Sequence, residues 1–372
     1  MDTEHHILCL GARTHLDPGA ERELRERLAG PVAWDHLWDQ ANLHEVTPLV
    51  ASTLGRVPEP AGVPSEWLAR ADRRARATLF RNLVLADELL SVLRTLADGG
   101  LTPVPVKGLV LAETVYGDLS LRPAGDIDVL VRPSQRGPAR ELLAGIGYRQ
   151  SAAPSFESLH HPFHDVEYFR ETGEGVVCLE IHSALWNPGF HRPDVGLWDR
   201  LVPGELRGVA VRLLSPEDVL LHLAIHRARS PLRLRFVCDV AEAVRRYGDG
   251  LDWVGLVRRA ELLEARTALS TVLRLSRDLL GAPVPADSME RLRVGALKRR
   301  LLDRTCGARA LFRPVAADDL TQQPSLALRA LELDGLVRIG TTLAGGVGRK
   351  LEKRRYERAL ARGASASARA LV

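Results

Sequence analysis

Two aspartates one residue apart, Asp126-Ile127-Asp128, close the segment 104–131 (VPVKGLVLAETVYGDLSLRPAGDIDVLV) and constrain this chain more than any other feature. The β-branched and aliphatic residues around them predict a strand, in which alternate side chains share a face. Asp126 and Asp128 then project together, while Ile127 and Val129 point into the core. Two carboxylates side by side at a strand end repel each other and desolvate badly unless a cation lies between them. That arrangement predicts a divalent-metal site.

A two-metal centre needs a further acidic ligand. The segment 176–182 (VVCLEIH) supplies a candidate: Leu179 and Ile181 take one face of a strand, and Cys178, Glu180 and His182 take the other. Glu180 is a charged residue in an otherwise apolar strand. Lys107 points to the same place by another route. The chain has lysines only at 107, 298, 350 and 353 against 47 arginines, so a lysine kept at 107 is expected to act as a compact point charge.

The run Lys107-Gly108, Tyr116, Arg122-Pro123, Gly125-Asp126-Ile127-Asp128-Val129-Leu130-Val131, followed by Leu179-Glu180-Ile181-His182, resembles the uncharacterised bacterial nucleotidyltransferase family of the DNA-polymerase-β-like superfamily. The resemblance extends over roughly residues 75–260. It takes in a helix before Lys107 and, in 214–240, a helical segment with two histidines and a later aspartate. It implies an α+β fold, a small mixed sheet forming a polymerase-β-like core flanked by N-terminal and C-terminal helical lobes.

The implied reaction is attack of an acceptor on the α-phosphate of a nucleoside triphosphate, with release of pyrophosphate. Asp126, Asp128 and Glu180 would hold Mg²⁺ or Mn²⁺, and Glu180 would bridge to or deprotonate the acceptor. The superfamily's Gly-Gly or Gly-Ser turn reads Gly108-Leu109 here. Phosphate contacts are therefore expected from backbone amides at Gly108 and from Lys107 and Arg122. On the substrate side the expected residues are His182, His226 (favoured over His222) and Asp239, the last pairing with one of Arg227, Arg229, Arg233 or Arg235. A small molecule, a peptide or RNA would fit as acceptor. The competing readings are a catalytically idle binding protein on the same fold and a toxin-like RNA-modifying transferase.

His222 and His226 are spaced i,i+4 like the histidines of a zinc protease, but no glutamate stands between them to act as base. His160, His161 and His164, with His182, are a weaker candidate for a second metal site. Cys9, Cys178, Cys238 and Cys306 show no Cys-x-x-Cys spacing, which predicts reduced thiols. A net charge of +4 gives no field that by itself implies nucleic acid, and it argues against polycationic acceptors. The sequence shows neither a signal peptide nor 18 uninterrupted apolar residues, so a cytoplasmic protein without a membrane partner is expected.

The expected organisation is a helical lobe over 1–100, the core over 101–213, a second helical lobe over 214–345, and a basic helix with a disordered tail over 346–372. Helices are predicted within 20–55, from Ser65 as N-cap, over 78–97 and over 133–146. A hairpin is expected around 171–175, and a helix after Ser215-Pro216.

Overall fold

The computed structural model describes residues 2–57, 62–151, 166–185, 196–230, 232–313 and 334. His160, His161, His164, the basic segment 348–362 and the tail lie outside the described residues.

Four short helices, α1 (Thr3–Gly11), α2 (Pro18–Leu28), α3 (Trp34–Leu43) and α4 (Thr47–Leu54), precede a long one, α5 (Ser65–Asp98). The two helical runs expected after Ser65 are one continuous helix of 34 residues. Ser65 is not its N-cap: Pro64 takes that position and no side chain caps the first turn. The helix stops where expected, with Gly100 at φ +79°.

Strand β1 (Val104–Val106) then leads into helix α6 (Gly108–Thr114), and β2 (Ile127–Leu130) is followed by α7 (Arg136–Gly145), β3 (Arg149–Gln150), β4 (Val166–Thr172) and β5 (Gly175–His182). The five strands form one mixed sheet in the order β1-β2-β5-β4-β3, with β2 parallel to β5 and the other pairs antiparallel. The β4–β5 turn falls where the sequence predicts a hairpin. A separate hairpin, β6 (Val202–Leu206) with β7 (Val209–Leu213), was not foreseen. Helices α8 (Pro216–Arg229), α9 (Leu234–Tyr247), α10 (Trp253–Leu262) and α11 (Arg266–Leu280) follow, and shorter helices carry the chain to Leu311. Ser215 caps α8 by accepting from the Asp218 amide, with Pro216 in the first turn, as expected.

Two apolar clusters organise the protein. Leu85, Leu89 and Leu93 of α5 cover one face of the sheet, against Ile127, Val129, Leu179 and Ile181. The other cluster joins Ile7, Leu24, Leu37 and Leu49 of the N-terminal helices to Leu220, Val237 and Leu269 of the later ones. Leu130 of β2 belongs to this second cluster, so the sheet face that carries Asp128 looks toward the helices after 214. No helix among the described residues is long and apolar enough to cross a membrane.

Candidate active site

The parallel pairing of β2 with β5 sets the site. Its register places Asp128 opposite Glu180 and Leu130 opposite His182, so the polar face of β5 comes alongside the polar face of β2. Ligand atoms of Asp128, Glu180 and His182 lie within 4.8 Å of one another. Asp126, expected beside Asp128 as a metal ligand, stands one residue before β2 and outside this trio, although the charge on Asp128 still reaches it.

One oxygen is the hub. Asp128 Oδ1 accepts from Lys107 Nζ at 2.7 Å and lies 2.8 Å from His182 Nε2, while His182 Nε2 is 3.5 Å from Glu180 Oε2. Burial alone would raise the pKa of Asp128, but Lys107 and then His182 outweigh it and hold the carboxyl below its usual range. The neighbouring acids move the other way. Burial and the Asp128 charge push Glu180 up to about 7, against the opposing pull of His182 and Lys107. The same two causes raise Asp126. The cluster therefore holds more carboxylate than its cations neutralise.

Lys107 reaches Asp128 from an unusual backbone. It follows β1 directly and caps α6 with φ +54° and ψ −135°, a conformation normally left to glycine and costing about 1–3 kcal/mol for another residue. The Gly108-Leu109 pair opens α6 as ordinary helical residues, and a Cβ on Gly108 would meet Ala124, Asp126 and Arg122 only at ordinary van der Waals distances. The strained position is the one whose side chain touches the acid.

Arg122 does not stand open toward a phosphate. It is buried, with Nε and Nη2 donating to Asp239 at 3.0 and 2.9 Å and Nη1 donating to the Pro123 carbonyl at 3.2 Å. Burial would lower its pKa, but Asp239 overcomes this and raises it. Asp239 also accepts from the Tyr116 hydroxyl at 2.9 Å and is itself almost fully buried. Asp239 thus takes Arg122 as its hydrogen-bonded partner where an arginine of the 227–235 stretch was expected, and it ties α9 to the loop before β2.

A second clamp on that loop went unread in the sequence. Asn82 of α5 donates to the carbonyls of Leu119 and Arg122 at 2.7 and 2.8 Å and accepts from the Ala124 amide at 3.1 Å. Its signal was present: an amide on the apolar stripe Thr78, Asn82, Leu85, Leu89 must find partners when buried. His226, the favoured histidine, packs its ring on Phe236 at 5.3 Å. It is His222, one turn earlier, that lines a cavity together with Lys107. All four cysteines are free, as their spacing predicts.

An acid pair with a third carboxylate on the neighbouring parallel strand, a lysine at a strand–helix junction and an ion-paired arginine before the acids make one constellation. A family model described as an uncharacterised nucleotidyltransferase matches residues 30–281. The crystal structure of an antigenic nucleotidyltransferase-like protein from Paracoccidioides brasiliensis superposes with a TM-score of 0.38 at 16% identity, covering 56% of this chain and 95% of that one. No curated protein matches the chain. The match covers most of the sequence and contains every residue of the site, and the chain belongs to the uncharacterised nucleotidyltransferase family.

Proposed function

We propose that the protein transfers a nucleoside monophosphate from a nucleoside triphosphate to an acceptor, with a divalent cation at the Asp128, Glu180 and His182 cluster. The observation that carries this reading is the convergence of those three donors within 4.8 Å around an oxygen that already attracts the Lys107 ammonium. Two carboxylates and an imidazole suit Mg²⁺ or Mn²⁺, the imidazole favouring Mn²⁺, and Asp126 would join as a further oxygen ligand. When bound, the ion would polarise the phosphoryl oxygens and neutralise the charge that develops on them.

In the reaction an acceptor oxygen forms a bond to the α-phosphorus, the bond from that phosphorus to the bridging oxygen breaks, and pyrophosphate leaves. The acceptor's proton needs a base, and Glu180, at the edge of the cluster, would take that role. Lys107 would turn from Asp128 to the triphosphate, keeping its charge paired throughout. Arg122 acts through position: held by Asp239, Tyr116 and the loop clamped by Asn82, it fixes where Asp126 and Asp128 emerge. The test is incubation of the protein with each α-³²P-labelled nucleotide and host lysate fractions, with and without Mg²⁺ or Mn²⁺. Metal-dependent label transfer that Asp128→Asn abolishes is the expected result; none with any nucleotide would contradict the proposal.

A further inference from the structure

Beside the carboxylate cluster lies a small cavity open to solvent, bounded by β1, α6, the end of β7, α8 and Tyr247. Val106, Val110, Leu111 and Val219 make much of its wall, with Lys107 and His222 as its only ionisable side chains besides Tyr247 among the described residues. Lys107 belongs to both spaces, so whatever fills the cavity sits next to the reacting centre.

His222 sets the chemistry of the occupant. Its Nδ1 lies 3.1 Å from the Leu185 carbonyl oxygen, and because a carbonyl only accepts, Nδ1 carries the ring's proton. Burial, reinforced by the charges of Lys107 and His182, holds the ring's pKa down to about 3, so at neutral pH Nε2 is a bare lone pair. That Nε2 is buried and has no hydrogen-bond partner. A buried acceptor without a donor costs about 1–3 kcal/mol, and such exceptions call for a reason. A ligand supplying one N–H or O–H would satisfy it.

We infer that this cavity seats the acceptor, a compact, largely apolar molecule that carries, besides the oxygen that attacks phosphorus, one hydroxyl or amine that donates to His222 Nε2. This rests on the nucleotidyl-transfer reading for the word acceptor, but not for the binding. The apolar wall and the Lys107 ammonium exclude polycations, which would lose their hydration without compensation. The wall also disfavours a nucleobase, whose several polar edge atoms would face aliphatic side chains. The Thr114 hydroxyl does not change this, since its hydrogen is given to the Val110 carbonyl at 2.7 Å.

The experiment uses the full chain without metal or nucleotide, and benzyl alcohol and toluene as probes followed by saturation-transfer NMR. Benzyl alcohol should bind at least about tenfold more tightly than toluene, the preference that one satisfied hydrogen bond confers. Val219→Phe and Thr114→Leu, which fill the cavity from two different helices, should each weaken benzyl alcohol at least about tenfold. His222→Phe should keep toluene binding and erase the preference for the alcohol. Saturating adenosine should displace neither probe. No binding by the wild type, undiminished binding by both filled variants, or displacement by adenosine would overturn the inference. Label transfer in the same preparations separates the two readings: transfer lost with binding intact counts against the proposed reaction, and binding absent with transfer intact counts against the cavity.

Discussion

Arg122 with Asp239 and Lys107 with Asp128 are both acid–base pairs taken out of water, yet they are built for opposite ends. Arg122 and Asp239 meet through two parallel hydrogen bonds, the Tyr116 hydroxyl takes a further lone pair, and the remaining guanidinium nitrogen goes to a backbone carbonyl. Every charge has its counterpart, which is what makes a buried ion pair tolerable. Around Asp128 the count does not balance. Lys107 faces Asp126, Asp128 and Glu180 together, and two of these acids are driven toward their protonated forms. A closed pair holds the chain in place; an open cluster is ready for another cation.

The largest expected effects separate the two. Asp239→Ala strands a buried guanidinium and should lower stability by about 3–5 kcal/mol, read by denaturant unfolding, while Arg122→Met/Asp239→Leu should recover much of that loss. Asp128→Asn should leave stability within about 2 kcal/mol of wild type, because Glu180 remains beside Lys107, and should lower label transfer about a thousandfold or more. If the two substitutions gave the same stability loss, the distinction between closed and open clusters would fail.

Next comes the pH dependence. Glu180 has a folded pKa near 7 against an ordinary value of 4.5, so the folded metal-free protein binds more protons than the unfolded chain between those values. Its contribution is therefore most favourable below about pH 4.5 and lost as pH rises toward 7. Glu180→Gln should raise the melting temperature at pH 8 in the presence of chelator, by the equivalent of about 1–3 kcal/mol, and should make little difference at pH 4.5. A variant destabilised at pH 8 would show that Glu180 is a structural partner like Asp239.

The smallest effect concerns Lys107. Its ammonium occupies the oxygen a metal would take, so Lys107→Met should bind Mn²⁺ alone about tenfold more tightly and the triphosphate about tenfold more weakly, measured by calorimetry. Parallel losses of both affinities would remove Lys107 from the role of exchangeable cation.

How much of this was legible in the sequence depends on whether the signal was local. Asp126-Ile127-Asp128 and the alternation around Glu180 gave the two strands and their polar faces, because period-two patterning is written along the chain. Their parallel pairing and the contact of Asp128 with Glu180 agree with that reading. What failed was partner choice at long range. Asp239 has four arginines close by in sequence, at 227, 229, 233 and 235, but bonds Arg122, 117 residues away, since burial fixes the partner and sequence distance does not. The same limit hid the contacts of Asn82 and which histidine lines the cavity beside Lys107: i,i+4 spacing puts both histidines on one side of α8 without saying that it is His222. The positive φ at Lys107 left no local signal, because glycine is its usual bearer, and here the side chain of the strained residue is the part the site uses.

The central claim is that the Asp126, Asp128, Glu180 and His182 group is a metal–nucleotide site that Lys107 partly neutralises while no metal is bound. The most direct measurement is thermal unfolding of the full chain with each nucleoside triphosphate, with and without Mg²⁺ or Mn²⁺, beside the Asp126→Asn/Asp128→Asn double variant. A ligand that binds only the folded state raises the midpoint by linkage, by the equivalent of about 2.7 kcal/mol at a hundredfold excess over its Kd. The account predicts a shift in the wild type that needs metal and triphosphate together and is missing from the double variant. No shift at millimolar ligand, or the same shift in the double variant, would contradict it.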